Sequence, residues 1–306
     1  MRRLALVSAR AARALDEDLP PLLAACAAAG AHAEVADWDD PGVDWGSFDA
    51  ALLRSAWDYT ERLSEFLAWV ERTASQTLLL NTQAVVQWNS DKHYLAELAR
   101  QGLPVVPSAF CEPGEEPRGV LEGFLARQGL PELVVKPAVG AGSRDTRRHP
   151  RAALAEILDH MGLLLQKRRS VLLQPYLPSV DRDGETALIY IDGAFSHAIR
   201  KGPLLPPGAA ATAALFAPEE ITPRTAAADE RAVAERILGA LPFPDLLYAR
   251  IDLIRGEGGE PRLLELELNE PSLFFTQGPG SALRLARGTL ARIEARAPRR
   301  GSPCAP

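Results

Sequence analysis

The feature that most constrains the fold is the stretch at residues 248–275, in which polar and aliphatic residues alternate in two runs. In the first run, Arg250 and Asp252 alternate with aliphatic residues. In the second run, after Gly-Glu-Gly-Gly-Glu-Pro, the polar positions are Glu265, Glu267 and Asn269, and they alternate with Leu264, Leu266 and Leu268. A period of two is typical of β-strands with one apolar and one polar face, and the glycine-rich segment is typical of a tight turn. We therefore predict a β-hairpin whose polar face carries an arginine, three carboxylates and an amide.

The polar face of this hairpin indicates a cation site. Three carboxylates on one face repel one another unless a cation lies among them, and oxygen ligands of this kind suit Mg²⁺. The guanidinium of Arg250 could then hold a phosphate oxygen through two hydrogen bonds. The alternative is a surface hairpin whose outer face is only solvated. However, Asn-Glu-Pro-Ser followed by Leu-Phe-Phe, at residues 269–275, is not typical of a solvated strand.

Composition and charge exclude several classes of function. The 306 residues are 47% hydrophobic, enough to bury the cores of two or three compact units. A net charge of −6 offers no basic surface for nucleic acid, and no apolar run approaches the roughly 18 to 20 residues that span a membrane. The three cysteines are widely spaced and fit neither a disulfide framework nor a zinc site. We expect a reduced, cytoplasmic protein without nucleic-acid or membrane partners.

The first 88 residues predict a small parallel α/β unit. Strands are predicted at residues 3–9, 32–35, 50–54 and 78–80, and helices at residues 18–29 and 63–72. The end of the third strand and the loop after it carry Arg54, Ser55, Trp57, Asp58 and Tyr59. Because ligands of open α/β sheets bind at the carboxyl ends of the strands, these residues are candidate ligand contacts. The alternative is that Trp57 and Tyr59 only pack against the following helix.

Two lysines in the middle of the chain lie where they could meet an anion. A helix is predicted from about residue 88 to residue 101, with Lys92 in its first turn, where the helix dipole disfavours a cation. Lys136 ends a short predicted strand and precedes a flexible loop, whose residues are Gly140, Ala141, Gly142 and Ser143. The backbone N–H groups of such a loop approach phosphates closely, although the order of lysine and glycines differs from a Walker A loop. A solvated lysine and an ordinary structural turn are the alternatives.

The second half of the chain before the organising hairpin holds three further features. A predicted strand runs into an extended segment that could expose backbone groups to an adenine edge, and its residues are Gln174, Pro175, Tyr176 and Leu177. A second hairpin at residues 186–200 turns at Asp192-Gly193, with Glu185 at its start and Arg200 and Lys201 at its end. Residues 203–224 predict an irregular loop that is a lid, a binding loop or disordered. A helix at residues 281–295 and a disordered tail at residues 298–306 complete the chain.

The sequence resembles the ATP-grasp family in five features and in their order. These are Lys92, Lys136 before a glycine-rich loop, Gln174-Pro175-Tyr176-Leu177, Arg250-Ile251-Asp252 and Glu267-Leu268-Asn269. Residues 54–59 and 88–94 are similar to stand-alone bacterial members of the glutathione-synthetase and ribosomal-protein-glutamate-ligase type, including the O-ureidoserine cyclo-ligases of D-cycloserine biosynthesis. The resemblance implies an α/β (α+β) ATP-grasp fold. It implies an N-terminal parallel α/β domain at 1–88, a central lid subdomain at 89–178 and a C-terminal antiparallel-sheet subdomain at 179–306. ATP is expected between the last two.

The resemblance also implies a role for each candidate residue. The phosphates of ATP would be contacted by Lys92 and Lys136 and covered by Gly140, Ala141, Gly142 and Ser143, and adenine would lie against Gln174, Pro175, Tyr176 and Leu177. One or two Mg²⁺ ions, with Mn²⁺ as a substitute, would be held by Asp252, Glu267 and Asn269. Catalytic contacts to the transferred phosphoryl group would come from Arg250 and from Arg200 or Lys201. The substrate would be selected by Arg54, Ser55, Trp57, Asp58, Tyr59, Glu185, Pro271 and Ser272.

The reaction implied by the resemblance is ATP-dependent amide-bond formation. A carboxylate becomes an acyl phosphate, an amine or urea nitrogen attacks it, and inorganic phosphate leaves. The nitrogen belongs to the same molecule, as in closure of O-ureidoserine to cycloserine, or to a separate amine of an amino-acid or peptide ligase. Two further alternatives are a phosphotransferase on the same fold and a nucleotide-binding regulator without turnover. The expected partners are a small-molecule carboxylate and amine, or one molecule that carries both, and a second copy in a homodimer.

Overall fold

The first of three β-sheets is parallel and is built from the N-terminal residues. This computed structural model describes residues 1–209 and 219–296. The first strands are β1 (Arg2–Ser8), β2 (Ala31–Asp37), β3 (Ala50–Ser55) and β4 (Leu78–Leu80), in the order β2-β1-β3-β4. Helix α1 (Leu19–Ala28) covers one face and helix α2 (Leu63–Gln76) covers the other. All the strands and helices predicted for this unit are confirmed, and its parallel topology as well.

Two short helices connect this sheet to the rest of the chain, where a single helix was predicted. Helix α3 (Gln83–Asn89) ends before Lys92, and helix α4 (Tyr94–Arg100) begins after it. The single-helix prediction is therefore wrong, and Lys92 lies in the turn between the two helices. The break has a physical reason, because the Asn89 side chain donates to the Leu266 carbonyl at 2.9 Å and accepts from the Leu268 N–H at 2.7 Å.

The second sheet is antiparallel and lies in the middle of the chain. Its strands are β5 (Ala109–Cys111), β6 (Glu132–Pro137), β7 (Arg147–Pro150) and β8 (Val171–Pro175), in the order β5-β8-β6-β7. Helices α5 (Pro117–Arg127) and α6 (Leu154–Gln166) bury one face of it against Phe124, Ile157 and Met161. The other face is left to border a cavity.

The third sheet is antiparallel and contains the organising hairpin. Its strands are β9 (Glu185–Ile191), β10 (Ala194–Lys201), β11 (Ile221–Arg224), β12 (Tyr248–Arg255) and β13 (Pro261–Glu267), in the order β11-β10-β9-β12-β13. Its helices are α7 (Ser179–Asp183), α8 (Ala228–Ala240) and α9 (Ser281–Arg296). Strand β12 pairs on both sides, so the hairpin is not a solvated surface feature. Strand β11 corrects part of the predicted irregular loop, because it pairs with β10.

The hairpin has one irregularity that the alternation does not predict. Arg250 is opposite Glu267 and Asp252 is opposite Glu265, but the register shifts after Asp252. Such a bulge turns the following side chains to the other face. Leu264 was predicted to lie with Leu266 and Leu268 in the core, and this is wrong for Leu264. It packs instead with Ile254 and Leu177 at the cavity.

The three sheets fall within the three predicted domain ranges, and the boundaries themselves stay predictions. The N-terminal and C-terminal sheets share a core, in which Leu4 and Leu22 lie in the same cluster as Ile189 and Leu285. No helix in the described ranges is long and apolar enough to cross a membrane. Part of the predicted loop, residues 210–218, and the predicted tail lie outside the described residues.

Candidate active site

A cavity lies between the central and C-terminal sheets, and most of the predicted site residues line it. From the central sheet and its loops come Lys136, Gly140, Ala141, Gly142, Ser143, Gln174, Pro175, Tyr176 and Leu177. From the linker and the C-terminal sheet come Lys92, Glu185, Lys201, Arg250, Glu267, Asn269 and Ser272. Trp57 and Tyr59 complete the wall from the N-terminal domain. The N-terminal domain, the linker and both antiparallel sheets thus contribute to one site.

The polar face of the hairpin forms a tight network of charges. Asp252 is only 1% exposed, and its carboxylate accepts from Arg250 Nε and Nη2 at 2.9 Å each and from Lys201 Nζ at 3.0 Å. Burial raises the pKa of Asp252, but Arg250 and Lys201 outweigh it and lower the pKa to about 2. Arg250 also binds Glu267. Burial raises the pKa of Glu267 to about 8, because together with the nearby carboxylates of Asp252 and Glu265 it outweighs the guanidinium of Arg250.

The amide of Asn269 is oriented so that its oxygen has no partner. Its nitrogen donates to Ser90 Oγ at 3.1 Å and to the Val86 carbonyl at 3.4 Å. Its Oδ1 is buried and has no hydrogen-bond partner within the described ranges. A buried acceptor left unpaired is costly, and a hard cation would pair with it. Together with the two hairpin carboxylates it supplies the oxygen ligands that Mg²⁺ prefers.

No group of three or more His, Cys, Asp or Glu side chains that could hold a metal ion by itself occurs in residues 1–209 and 219–296. Two carboxylates and one amide oxygen are an incomplete cage. Mg²⁺ is usually bound in this way, by one or two carboxylates together with phosphate oxygens and waters. The donor set therefore fits a Mg²⁺ ion that arrives with a nucleotide.

The three lysines of the cavity differ in how far their charge is compensated. Lys92 Nζ donates to the Gly140 carbonyl at 2.6 Å and lies 2.8 Å from Glu265 Oε1. Lys201 is held by Asp252, by Glu185 at 3.4 Å and by Glu219 at 3.7 Å. Lys136 is only 9% exposed and makes no ion pair or hydrogen bond through its side chain to any described residue. Burial lowers the pKa of Lys136. Because Lys136 has no partner among the described residues, an incoming anion would be bound there without displacing one.

The glycine-rich loop is held over the cavity on the side of the N-terminal domain. Gly142 and Ser143 have φ values of 59° and 60°, a region that favours glycine. Val139 and Ala141 pack against the aromatic cluster of the N-terminal domain, and Arg144 lies 2.7 Å from Glu61. The loop therefore closes one side of the cavity without help from a ligand.

One end of the cavity is apolar and flat. Tyr176 lies under Arg148, whose guanidinium carbon is 3.5 Å from the ring centroid, and its hydroxyl donates to Asp181 at 2.5 Å. Leu177, Ile254 and the bulged Leu264 complete this end. The Gln174 amide is turned towards Ser108, to which it donates at 3.0 Å. An aromatic ring would be buried here with its edge towards the end of β8.

Trp57 and Tyr59 line the cavity and also belong to the aromatic core of the N-terminal domain. The two alternatives for these residues, ligand contact and core packing, are therefore not exclusive. Trp57 Nε1 donates to the Glu270 carbonyl at 3.0 Å, and Tyr59 stacks on Phe66 with 4.7 Å between ring centroids. Glu270 lines the cavity beside them. Burial is the main cause that raises the pKa of Glu270 to about 7.

Six predicted site residues do not line the cavity. Asp252 acts behind Arg250 and Lys201, and Pro271 uses its carbonyl to accept from Arg54 at 3.0 Å. Arg54 is fully buried against Asp18, Ser55 bonds Ser8 at 2.8 Å, and Asp58 accepts from Trp38 at 2.8 Å. Arg200 donates to the Asp183 carbonyl at 3.0 Å and follows the alternation of β10 away from the cavity that Lys201 enters. Of these two residues, only Lys201 is placed to contact a phosphoryl group in the cavity.

Three carboxylates of the site were missed or left without a role by sequence reasoning. Glu265 was predicted to lie on the polar face of the hairpin, but no role was assigned to it. In the structure it forms an ion pair with Lys92. Glu219 lies within residues 203–224, which were predicted to be an irregular loop, and their sequence gives no local signal for it. Glu270 stands in the unusual Asn-Glu-Pro-Ser tetrapeptide, which did carry a signal for it.

Comparisons with known proteins agree with this geometry. The sequence profile described as the N-terminal domain of D-cycloserine synthetase DcsG matches residues 4–81. The cycloserine biosynthesis protein DcsG of Streptomyces lavendulae is 42% identical over 298 residues, which are 95% of this chain and 99% of that protein.

Solved structures give the same result. The crystal structure of D-cycloserine synthetase DcsG superposes with a TM-score of 0.90 and 42% identity, and covers 95% of this chain and 99% of its own. The ATP-grasp ligase PsnB, complexed with minimal precursor, Mg and ADP, has a TM-score of 0.62 and 19% identity over 95% of this chain and 97% of its own. The predicted ATP-grasp fold is confirmed. The chain therefore belongs to the D-cycloserine synthetase DcsG family of ATP-grasp ligases.

Proposed function

We propose that this ATP-dependent carboxylate–amine ligase activates the carboxylate of O-ureidoserine as an acyl phosphate and closes the molecule to cycloserine. The observation that carries the proposal is the cavity in which an uncompensated lysine, Lys136, faces the buried oxygen ligands of the C-terminal hairpin. The relatives named for cycloserine biosynthesis support the substrate. A small-molecule substrate fits a cavity lined by residues of the N-terminal domain, the central sheet and the C-terminal sheet.

The phosphate end of the site is assigned to the cationic side chains. Lys136 would bind phosphate oxygens of ATP, because it has no counter-ion among the described residues. Lys201 and Arg250 would hold the transferred phosphoryl group from the face of the C-terminal sheet, where Asp252 fixes both. Charge neutralisation and alignment are the main contributions that a protein makes to phosphoryl transfer.

Glu267 and Asn269 line the cavity and would hold Mg²⁺ directly, whereas Asp252 would become a ligand only when one of its oxygens releases Arg250 or Lys201. When bound, the ion supplies positive charge that lowers the barrier to attack on a phosphate. The unpaired oxygen of Asn269 and the position of Glu267 in the cavity wall are the structural support for this assignment. The number of ions is left open by the donor set.

The nucleotide base is assigned to the apolar end. Tyr176, Leu177, Ile254 and Leu264 would enclose adenine. The loop with Gly142 and Ser143 would cover the phosphates and keep water from the acyl phosphate, which hydrolyses readily. Its contact with the N-terminal domain at Arg144 and Glu61 supports a closed position during the reaction.

The chemical steps follow from this arrangement. A carboxylate oxygen attacks the γ-phosphorus of ATP, and ADP leaves. The oxygen-bound ureido nitrogen of the same molecule attacks the acyl carbon and loses its proton, and inorganic phosphate leaves. The carbamoyl group that remains on this nitrogen is then removed by water as carbon dioxide and ammonia, which gives cycloserine. Trp57, Tyr59 and Ser272 would border the acceptor, because they line the cavity where the N-terminal domain meets the hairpin.

The decisive experiment measures ADP and phosphate release with Mg²⁺-ATP and each enantiomer of O-ureidoserine, without a second amine. Turnover of one enantiomer with a cyclic product is the expected result and also gives the stereochemistry. The Glu267→Gln variant is the matched control and should form no ADP. Failure of both enantiomers would overturn the cyclisation and favour an intermolecular ligase, to be sought with paired carboxylates and amines. Homodimer formation, a cytoplasmic location and the lack of nucleic-acid binding stay predictions.

A further inference from the structure

Glu270 is a buried carboxylate of the cavity that phosphoryl transfer does not use. Its side chain lines the cavity, the residue is only 9% exposed, and Oε2 has no hydrogen-bond partner in the described ranges. A carboxylate oxygen buried without a partner is costly, and the cost is larger for a charged group. A ligand that brings hydrogen-bond donors would remove this cost.

Three cations of the cavity already have other partners, and Lys136, which has none among the described residues, is assigned to the phosphates. Lys92 is bound to Glu265 and to the Gly140 carbonyl, Arg250 is bound to Asp252, and Lys201 is also bound to Asp252. None of the ion pairs between described residues includes Glu270. The unpaired oxygen of Glu270 is therefore available to a ligand that enters the cavity.

The surroundings of Glu270 identify the end of the cavity at which it acts. Its backbone carbonyl accepts from Trp57 Nε1 at 3.0 Å, and its carboxylate interacts with the Tyr59 hydroxyl. This is the wall contributed by the N-terminal domain, and Ser272 lines the same cavity two residues further along. The cations proposed to bind phosphate, Arg250 and Lys201, lie on strands β12 and β10. The apolar end of the cavity, proposed to bind adenine, is formed by other residues, among them Tyr176 and Leu177. Glu270 therefore faces the acceptor substrate.

We propose that Glu270 binds the α-ammonium group of an amino-acid substrate and so selects amino acids over carboxylic acids without an amine. An ammonium group offers three donors and a full positive charge to an unpaired carboxylate oxygen. The rings of Trp57 and Tyr59 beside it are surfaces that attract such a cation. The assignment rests on the proposed function, because it names the part of the ureidoserine substrate that this residue holds.

The test compares two substrates in two proteins. The substrates are O-ureidoserine, as the enantiomer that turns over, and 3-(ureidooxy)propanoate, which lacks only the α-amino group. The proteins are the wild-type chain and Glu270→Gln, which keeps the shape and removes the charge. ADP release gives kcat/KM for each pair, and Mg²⁺ titration gives the half-saturating metal concentration.

The expected result is a loss that depends on the amine. Glu270→Gln should lower kcat/KM for O-ureidoserine by about 100-fold, roughly 2.7 kcal/mol, and change that of the deamino analogue less than about threefold. The Kd of ATP and the half-saturating Mg²⁺ concentration should stay the same. Glu270→Asp keeps the charge, so its kcat/KM for O-ureidoserine should remain at least about tenfold higher than for the deamino analogue. This variant serves as the test if the glutamine variant does not fold.

Four outcomes would overturn the inference. Equal losses on both substrates would mean that Glu270 does not bind the amine. A shift of the Mg²⁺ half-saturation would make Glu270 a metal ligand next to Asn269. Lack of turnover of O-ureidoserine by the wild-type chain would refute the proposed function, and the inference with it. A wild-type chain that turns over while Glu270→Gln keeps its preference would refute the inference alone.

Discussion

The Lys92 ammonium lies 2.8 Å from the Glu265 carboxylate, although the two residues come from the interdomain linker and from strand β13. The same ammonium donates to the Gly140 carbonyl of the glycine-rich loop. Lys92 therefore joins the linker, the loop and the hairpin. Glu265 pairs with this lysine, and we therefore propose that it supports nucleotide binding by keeping Lys92 in place.

Replacing Glu265 by Gln should weaken ATP binding about tenfold, roughly 1.4 kcal/mol. The amide still accepts a hydrogen bond but leaves Lys92 without a counter-charge. Isothermal titration with Mg²⁺-ATP measures the effect, and Glu257→Gln, at an exposed position of the hairpin turn, is the matched control. In a double-mutant cycle with Lys92→Met the losses should be less than additive. Additive losses would mean that the two residues act independently.

Lys136→Met should change stability and nucleotide binding in opposite directions. The ligand-free protein should gain roughly 1–2 kcal/mol in unfolding free energy, because an uncompensated buried charge is removed. The affinity for ATP should fall about 10- to 100-fold, the value of hydrogen bonds to a charged group. Urea melts and titration measure the two effects, with Lys167→Met at the surface as control. A destabilised variant with unchanged ATP affinity would contradict the role at the phosphates.

Asp252→Asn and Glu267→Gln should separate a structural role from a role in metal binding. Asp252→Asn leaves Arg250 and Lys201 under-compensated and should cost about 3–5 kcal/mol of stability. Glu267→Gln should keep the stability, because burial already favours the neutral form of this side chain and raises its pKa. Both should lower ADP formation by at least about 100-fold, or roughly 2.7 kcal/mol of barrier. An active, stable Glu267→Gln variant would remove Glu267 from the metal site.

Much of the fold was predictable because its signals are local. Alternation predicts the hairpin at Arg250 and Glu267, and the strand–helix rhythm predicts the N-terminal sheet. The bulge that turns Leu264 to the cavity was not predictable, since the alternation of the sequence continues through it. The turn at Lys92 depends on contacts from Asn89 to residues 177 and 179 positions further along, and no local pattern reveals them.

The candidate site was predictable where a motif carries it and not where a distant contact decides it. Lys136 and Asn269 were found from their positions next to a glycine-rich loop and at the end of an alternating strand. Arg200 and Lys201 are neighbours in sequence, and only the orientation of β10 distinguishes them. The unpaired state of Glu270 depends on which cations are already taken, and this is a property of the whole cavity.

His93 should make the stability of the protein depend on pH. Its ring nitrogens lie 2.6 Å from Asp91 and 2.9 Å from Glu112. Burial lowers the pKa of His93, but the two carboxylates outweigh it and raise the pKa above the ordinary value of 6.5. The folded state therefore binds the proton more tightly. This stabilisation is fully present below pH 6.5 and is lost as the pH rises through the raised pKa.

The comparison of the wild-type chain with His93→Gln isolates this effect. Unfolding free energies from urea melts at pH 6 and pH 8 should show a larger decrease with pH in the wild-type chain than in the variant. The half-buried position limits the size of the difference, so its sign is the prediction. If the variant showed the same pH dependence, the decrease in unfolding free energy between pH 6 and pH 8 would come from groups other than His93.

Asp18 and Arg54 should be strongly non-additive, because Asp18 fixes the segment that carries the acceptor end of the site. Its carboxylate accepts from the backbone N–H groups of Leu273 at 2.6 Å, Phe274 at 3.1 Å and Phe275 at 2.9 Å, and it is the counter-charge of the fully buried Arg54. Asp18→Ala should cost about 3–5 kcal/mol, since it leaves a buried guanidinium unpaired. The double variant with Arg54→Met should be more stable than Asp18→Ala alone, as measured by urea melts. A double variant that loses the sum of the two single effects would contradict a shared network. Asp40→Ala is the control for removal of an aspartate, because among the described residues its carboxylate accepts only the local N–H of Gly42.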